Sequence, residues 1–169
     1  MWFSIKPEKQ SSMNQFILFA GLDGAGKTLL ARLLVTQALA QHAPTYKDRT
    51  EEFIWKSRKF KLIDTSGKIE NRTRWSSFPC DAIIFFVDGT NQSRLAESKV
   101  ELEKLVKRRK PIVVILNKAD LLNFSPLPDL LNELGLNLID PSLPVRAFEC
   151  SVLKKVGYED ALDWLLRLM

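Results

Sequence analysis

Apolar positions along the chain fall into two alternating patterns. Continuous runs at 15–20, 82–87 and 111–116 have strand length and no polar face, the signature of strands covered on both sides. Between them, Leu29, Leu30, Leu33 and Leu34 recur at helical spacing, with Ala38 continuing the stripe. Leu95, Leu102, Leu105 and Val106 mark a second helix, with Val100 beside them. Residues 53–55 and 60–63 flank Lys56-Ser57-Arg58-Lys59 and read as a hairpin, and the polar stretch 41–50 reads as a loop carrying Pro44. A short helix is expected over 128–134, a last strand over Val145–Glu149, and a closing helix over 158–168. Pro111 opens its strand, where it costs no ladder bond.

Strands alternating with helices predict an α/β fold. The expected form is a six-stranded, mostly parallel sheet with one antiparallel edge strand and helices on both faces. Its chemistry should gather beyond the carboxyl ends of the strands. The expected division is a short N-terminal segment, 1–14, and one domain over 15–169. No repeat or low-complexity linker interrupts it.

Composition narrows the field. The 169 residues are 46% hydrophobic and 27% charged, a balance that excludes a disordered chain. No apolar run approaches the roughly 20 residues of a membrane-spanning helix. The first residues lack the apolar block of a secretory signal, and Trp2 excludes N-myristoylation. Two cysteines suit a reducing compartment, and a single histidine excludes a multi-histidine metal site. The net charge is +5, and Lys107-Arg108-Arg109-Lys110 is the densest basic run. It reads as a solvated helix end, and no aromatic residue interleaves it, so no nucleic-acid partner is expected.

Three motifs carry chemistry. After the first strand stands Gly21-Leu22-Asp23-Gly24-Ala25-Gly26-Lys27-Thr28, a complete G-x-x-x-x-G-K-[ST] between a strand and a helix. Glycines let the backbone wrap a phosphate, and the helix N-terminus adds its positive end. The cradle is expected from Asp23, Gly24, Ala25, Gly26, Lys27, Thr28 and Leu29. Lys27 can reach the β- and γ-phosphates, and the Thr28 hydroxyl can bind Mg²⁺. The plain alternative is a glycine-rich turn at a tight junction.

Asn117-Lys118-Ala119-Asp120 ends a later strand. A carboxylate at Asp120 can accept from both N1–H and the exocyclic amine of guanine; adenine offers no such pair, and sites built this way discriminate by about 10⁴–10⁵. Lys118 can lie along the base, and Asn117 can tie this loop to the phosphate loop. After the last strand, the backbone of Ser151, Val152 and Leu153 can meet the guanine O6. Asp64-Thr65-Ser66-Gly67 forms a D-x-x-G. Asp64 can hold Mg²⁺, and the Gly67 N–H can meet a γ-phosphate. Thr45, with Thr50 as a rival, is the candidate to bind Mg²⁺ in the triphosphate state.

In this order the elements resemble a small GTPase of the Arf/Sar branch of the Ras superfamily, and most closely the Sar type that initiates the COPII coat. The Leu22-Asp23 opening, Gln41-His42-Ala43-Pro44-Thr45 with Glu51-Glu52-Phe53, Ser93-Arg94-Leu95-Ala96-Glu97-Ser98-Lys99, and Phe148-Glu149-Cys150-Ser151-Val152-Leu153-Lys154-Lys155 carry the match. The resemblance implies a monomeric switch that binds GTP or GDP with Mg²⁺ and hydrolyses GTP slowly without a partner. It implies a cytoplasmic protein, peripheral on the endoplasmic reticulum through its N-terminus. A membrane-bound exchange factor and inner COPII subunits, including a GTPase-activating protein, are its implied partners. It places Asp23 near the phosphates and metal, and Lys27, Gly67 and Lys68 at the reacting centre. Three departures stand out. Only Trp2, Phe3 and Ile5 precede Lys6-Pro7. Ser66 and Lys68 replace the family's glycine and catalytic histidine. Leu116, not glycine, precedes Asn117, and the segment 121–144 is short. Lys68 is a donor only and cannot orient an attacking water as an acceptor. The alternative is a GTP- or GDP-binding adaptor with little turnover; an ATP-dependent kinase is disfavoured by Asn117–Asp120.

Overall fold

The computed structural model describes residues 15–36 and 47–169. Six strands form one sheet: β1 (Gln15–Gly21), β2 (Arg49–Trp55), β3 (Arg58–Asp64), β4 (Ala82–Asp88), β5 (Ile112–Asn117) and β6 (Val145–Glu149). Their spatial order is β2-β3-β1-β4-β5-β6. All neighbours run parallel except the edge pair β2–β3. Among the described residues, four α-helices accompany them: α1 (Lys27–Thr36), α2 (Leu95–Val106), α3 (Leu127–Glu133) and α4 (Tyr158–Leu166). The expected α/β sheet with its antiparallel edge is the sheet observed.

The period of two in the central strands decides which helix covers which face. Ile17, Phe19, Ile84, Phe86, Val113 and Ile115 point one way and pack with Leu30, Leu33 and Leu34 of α1 and Leu162 and Leu165 of α4. Their neighbours Leu18, Ile83, Phe85, Val114 and Leu116 point the other way, onto Leu95, Leu102 and Leu105 of α2 and Leu130 of α3. Each such fully buried side chain contributes about 1.5–3 kcal/mol. Nothing apolar is left for solvent along β4, so a continuous apolar run was the correct sign of a central strand.

Three expectations are corrected. The hairpin turn is two residues, not four. Lys56 and Ser57 have φ of 46° and 64°, the left-handed pair of a type I′ turn, so Arg58 and Lys59 already pair with Trp55 and Ile54. Strand β2 begins at Arg49, so 49 and 50 belong to the sheet rather than the loop; Thr50 pairs with Ile63 and is not placed as a loop ligand. Strand β5 starts at Ile112, with Pro111 just outside it, its carbonyl accepting from the Ile83 N–H. A 3-10 helix, Ile69–Ser76, was not expected; its sequence is polar and aperiodic, and Trp75 anchors it in the core against Phe85. The expectations for Ala38, Thr45 and the segment 1–14 lie outside the described residues.

Candidate functional site

The carboxyl ends of β1, β3, β5 and β6 converge with the N-terminus of α1, and the predicted residues gather there. At the phosphate loop, Gly26 adopts φ +104°, and a side-chain carbon on it would overlap the Asn117 amide. Glycine is required for both reasons. Lys27 is 5% exposed, and its ammonium donates to the Gly21 and Leu22 carbonyls at 2.7 and 2.8 Å. Burial depresses its pKa to about 8, a shift that the Asp64 and Asp23 carboxylates oppose. A buried cation held by two carbonyls in a loop of backbone N–H groups is a charge placed for an anion.

Asp64 ends β3, 2% exposed. One carboxylate oxygen accepts the Thr28 hydroxyl at 2.7 Å, while the other is buried with no hydrogen-bond partner. Burial raises the pKa of Asp64, against the hydrogen bond from Thr28 and the charge of Lys27. An unpartnered buried carboxylate oxygen beside a hydroxyl is a hard-oxygen donor set that fits Mg²⁺. Among the described residues, no three His, Cys, Asp or Glu side chains cluster to form a metal site.

The D-x-x-G loop lies directly on the phosphate loop. A side-chain carbon on Gly67 would overlap the Asp23 amide nitrogen and come within 2.7 Å of the Lys27 ammonium. Lys68 is partly buried, and its N–H donates to the Ser66 hydroxyl at 3.4 Å.

At the other end of the site, Asn117 is 3% exposed and joins three loops. Its Nδ2 donates to the Ala25 carbonyl at 2.9 Å, and its Oδ1 accepts the Val152 N–H at 3.1 Å. Lys118 sits at φ +71° with its ammonium 2.5 Å from Asp88. Asp120 accepts the Ser151 hydroxyl at 2.6 Å, while Leu153 is exposed. Gly24 is exposed at the loop's tip, and Leu29 packs on the α1 side of the core.

Sequence reasoning missed a charged cluster beside the phosphate loop. Asp23, expected near the phosphates and metal, pairs with Arg94 at 2.9 Å and lies 3.6 Å from Arg72. Arg72, 5% exposed, donates to the Gly67 carbonyl at 2.8 Å and to Glu97 at 2.6 Å. Hydrogen bonds from Arg94 and Arg72 hold the Glu97 pKa near about 2. Asp48 was missed too: it accepts the Ser66 N–H at 2.9 Å. Apart from Arg94–Glu97, an i,i+3 pair at the start of α2, none of these pairs has a spacing signature, because each joins separate elements.

The ADP-ribosylation factor family model matches residues 4–169. The chain is 30% identical to a small COPII coat GTPase SAR1 of Giardia intestinalis, over 90% of this chain and 88% of the relative. It is 32% identical to SAR1B of Dictyostelium discoideum, over 88% and 84%. It is also 32% identical to ADP-ribosylation factor-like protein 1 of Drosophila melanogaster, over 88% and 86%. Among solved structures, the Arl6 BBS3 small GTPase of Trypanosoma brucei, with bound GppNp, superposes with a TM-score of 0.81 at 26% identity, covering 92% of this chain and 96% of that one. The mammalian SRP receptor shares the fold, with a TM-score of 0.75 at 20% identity, covering 92% and 100%. The P-loop GTPase fold, the phosphate loop on its strand–helix junction and a family match over almost the whole chain agree: the protein belongs to the ADP-ribosylation factor family, in the Arf/Sar branch of the Ras superfamily.

Proposed function

We propose that this chain is a GTP-binding switch that hydrolyses GTP to GDP and phosphate and acts as a Sar-type GTPase, recruiting a COPII coat at the endoplasmic reticulum. The observation that carries the nucleotide part is the Lys27 ammonium buried within the phosphate loop, with Asn117 tying that loop to the base loop. The Sar assignment rests on similarity to SAR1 relatives and on the stretches 93–102 and 148–158. Similarity of the same size to an ADP-ribosylation factor-like protein supports a second reading, an Arf-like adaptor.

In this reading, Asp120 accepts from guanine, Lys118 flanks the base, and the backbone of Ser151, Val152 and Leu153 meets O6. The N–H groups from Asp23 to Leu29 wrap the phosphates, and Lys27 balances the β- and γ-phosphate charge. Thr28 and Asp64, with Thr45 in the triphosphate state, would hold Mg²⁺, which would supply positive charge against the β- and γ-phosphates. Gly67 offers its N–H to the γ-phosphate. Lys68 supplies charge but no acceptor for the attacking water, so intrinsic hydrolysis is slow and a partner completes the site. Replacing Lys68 by histidine tests this in single-turnover assays with and without an inner-coat activator. Lys68→His should raise the stimulated rate or leave it unchanged. A fall of about tenfold or more, the scale of a lost general-base or electrostatic contribution, with nucleotide affinity intact, would make Lys68 itself catalytic.

Among the described residues no helix is long and apolar enough to cross a membrane. Membrane contact is therefore assigned to the N-terminal Trp2, Phe3 and Ile5. The deciding experiment is flotation with liposomes of endoplasmic-reticulum composition. Binding should require GTP rather than GDP and should fall on Trp2→Ala with Phe3→Ala. Nucleotide-independent binding would favour the adaptor reading.

A further inference from the structure

The loop 65–68, which would face the γ-phosphate, is held from outside by side chains of other segments. The Trp75 indole donates to the Ser66 carbonyl at 3.1 Å, and Arg72 donates to the Gly67 carbonyl at 2.8 Å. The Thr65 hydroxyl donates to the Phe19 carbonyl at 2.7 Å. The first two hold loop carbonyls, and the third ties the loop's own Thr65 to β1. The Ser66 amide is held by one side chain: the Asp48 carboxylate accepts its N–H at 2.9 Å. The Asp48 side chain is only 9% exposed, and its other oxygen lies 2.9 Å from the Arg74 guanidinium, an ion pair without hydrogen-bond geometry. Arg74 in turn lies over the Phe78 ring, so the acid is braced from the 3-10 helix.

Asp48 precedes β2, three residues after Thr45 in the sequence, whereas Ser66 and Arg74 lie beyond β3. One carboxylate thus links the entry of β2 to the peptide unit next to Gly67. A carboxylate accepting a backbone N–H makes a charge-assisted bond, stronger than a neutral one. With the Ser66 carbonyl held by Trp75, fixing the Ser66 amide as well limits where the Gly67 N–H can point.

We propose that Asp48 is a positioning residue: its carboxylate pre-sets the Gly67 loop against the phosphate loop and ties that loop to the entry of β2. The inference rests on the guanine-nucleotide reading of the site, but its geometry can be tested without a ligand. In the nucleotide-free wild-type protein, the Ser66 amide should exchange with solvent slowly, and Asp48→Ala should speed that exchange by about tenfold or more, the order of a typical coupling. Asp48→Asn keeps an acceptor for Ser66 and should restore most of the protection. Fast Ser66 exchange in the wild type, or exchange indifferent to Asp48→Ala, overturns the proposal whatever the protein binds.

The second arm measures release of fluorescent nucleotides. Asp48→Ala should speed release of a non-hydrolysable GTP analogue about tenfold and of GDP about twofold at most, because the preset N–H serves the γ-phosphate. Asp48→Asn should recover most of the difference. A purely structural role would change both rates equally and lower the melting temperature in proportion; that result also overturns the proposal. A wild type that binds neither nucleotide defeats the GTPase reading and is separate from the amide-exchange result.

Discussion

Asp120→Asn is expected to reduce the preference for GTP over xanthosine triphosphate by roughly 10⁴-fold, the scale on which a buried hydrogen-bonding site rejects a ligand that leaves it unpaired. The carboxylate of Asp120 accepts only, and the Ser151 hydroxyl already donates to one of its oxygens. An amide in its place presents a donor toward the guanine amine, so donor faces donor. The carbonyl of xanthine at the same position would meet that donor instead. Competition of labelled GDP by unlabelled GTP, xanthosine triphosphate and ATP measures the change. ATP and GTP displacing equally from the wild type would show that the loop 117–120 does not read guanine. The fold should be indifferent to the change, because Asp120 is exposed and the asparagine can still accept from Ser151.

Lys27→Ala is expected to weaken GTP and GDP together by about 10²–10³-fold, the cost of removing one partner of a desolvated, hydrogen-bonded charge pair. Titration adds a signature that truncation alone would not give. Burial sets the Lys27 pKa at about 8. Phosphate charges favour the ammonium form, so bound nucleotide raises that pKa. Above about pH 8, binding must then take up a proton. Affinity should therefore fall as pH rises, by about fivefold between pH 8 and 9, and the dependence should vanish in Lys27→Ala. Calorimetry in buffers of different ionisation enthalpy reads the proton uptake directly. An affinity that is flat with pH in the wild type would place the phosphates away from Lys27.

Those two residues were legible because their motifs are local. Eight consecutive residues specify the phosphate loop, and four specify the base loop, each at a strand end that the apolar runs already marked. The central strands were legible for a related reason: β4 and β5 are buried on both faces, and no polar residue could be tolerated along most of their length. The edge hairpin was harder to read. Lys56 and Ser57 carry positive φ without the glycine or asparagine that usually announces it, so the turn looked longer than it is. The 3-10 helix and the ionic groups on it were not legible at all. Arg72 and Arg74 look like solvated surface charge in one dimension. Arg72 is buried against Glu97 because Trp75 draws residues 69–76 onto α2, a contact that no spacing rule encodes, and Arg74 reaches Asp48 on a distant segment. The same limit applied to Asp23, whose partner Arg94 lies on an element far along the chain.

Asn117 has a consequence for how the two ends of a nucleotide communicate. Its single amide bonds the 21–28 loop on one side and the 151–154 loop on the other, so loosening one strains the other. On the proposed GTPase reading, a purine ring that immobilises one loop should remove part of the disorder that the other would otherwise lose on meeting phosphate. The guanosine and diphosphate halves of GDP should then bind as mutually reinforcing fragments, each tighter with the other in place, and a change at Asp120 should also weaken the hold at Lys27.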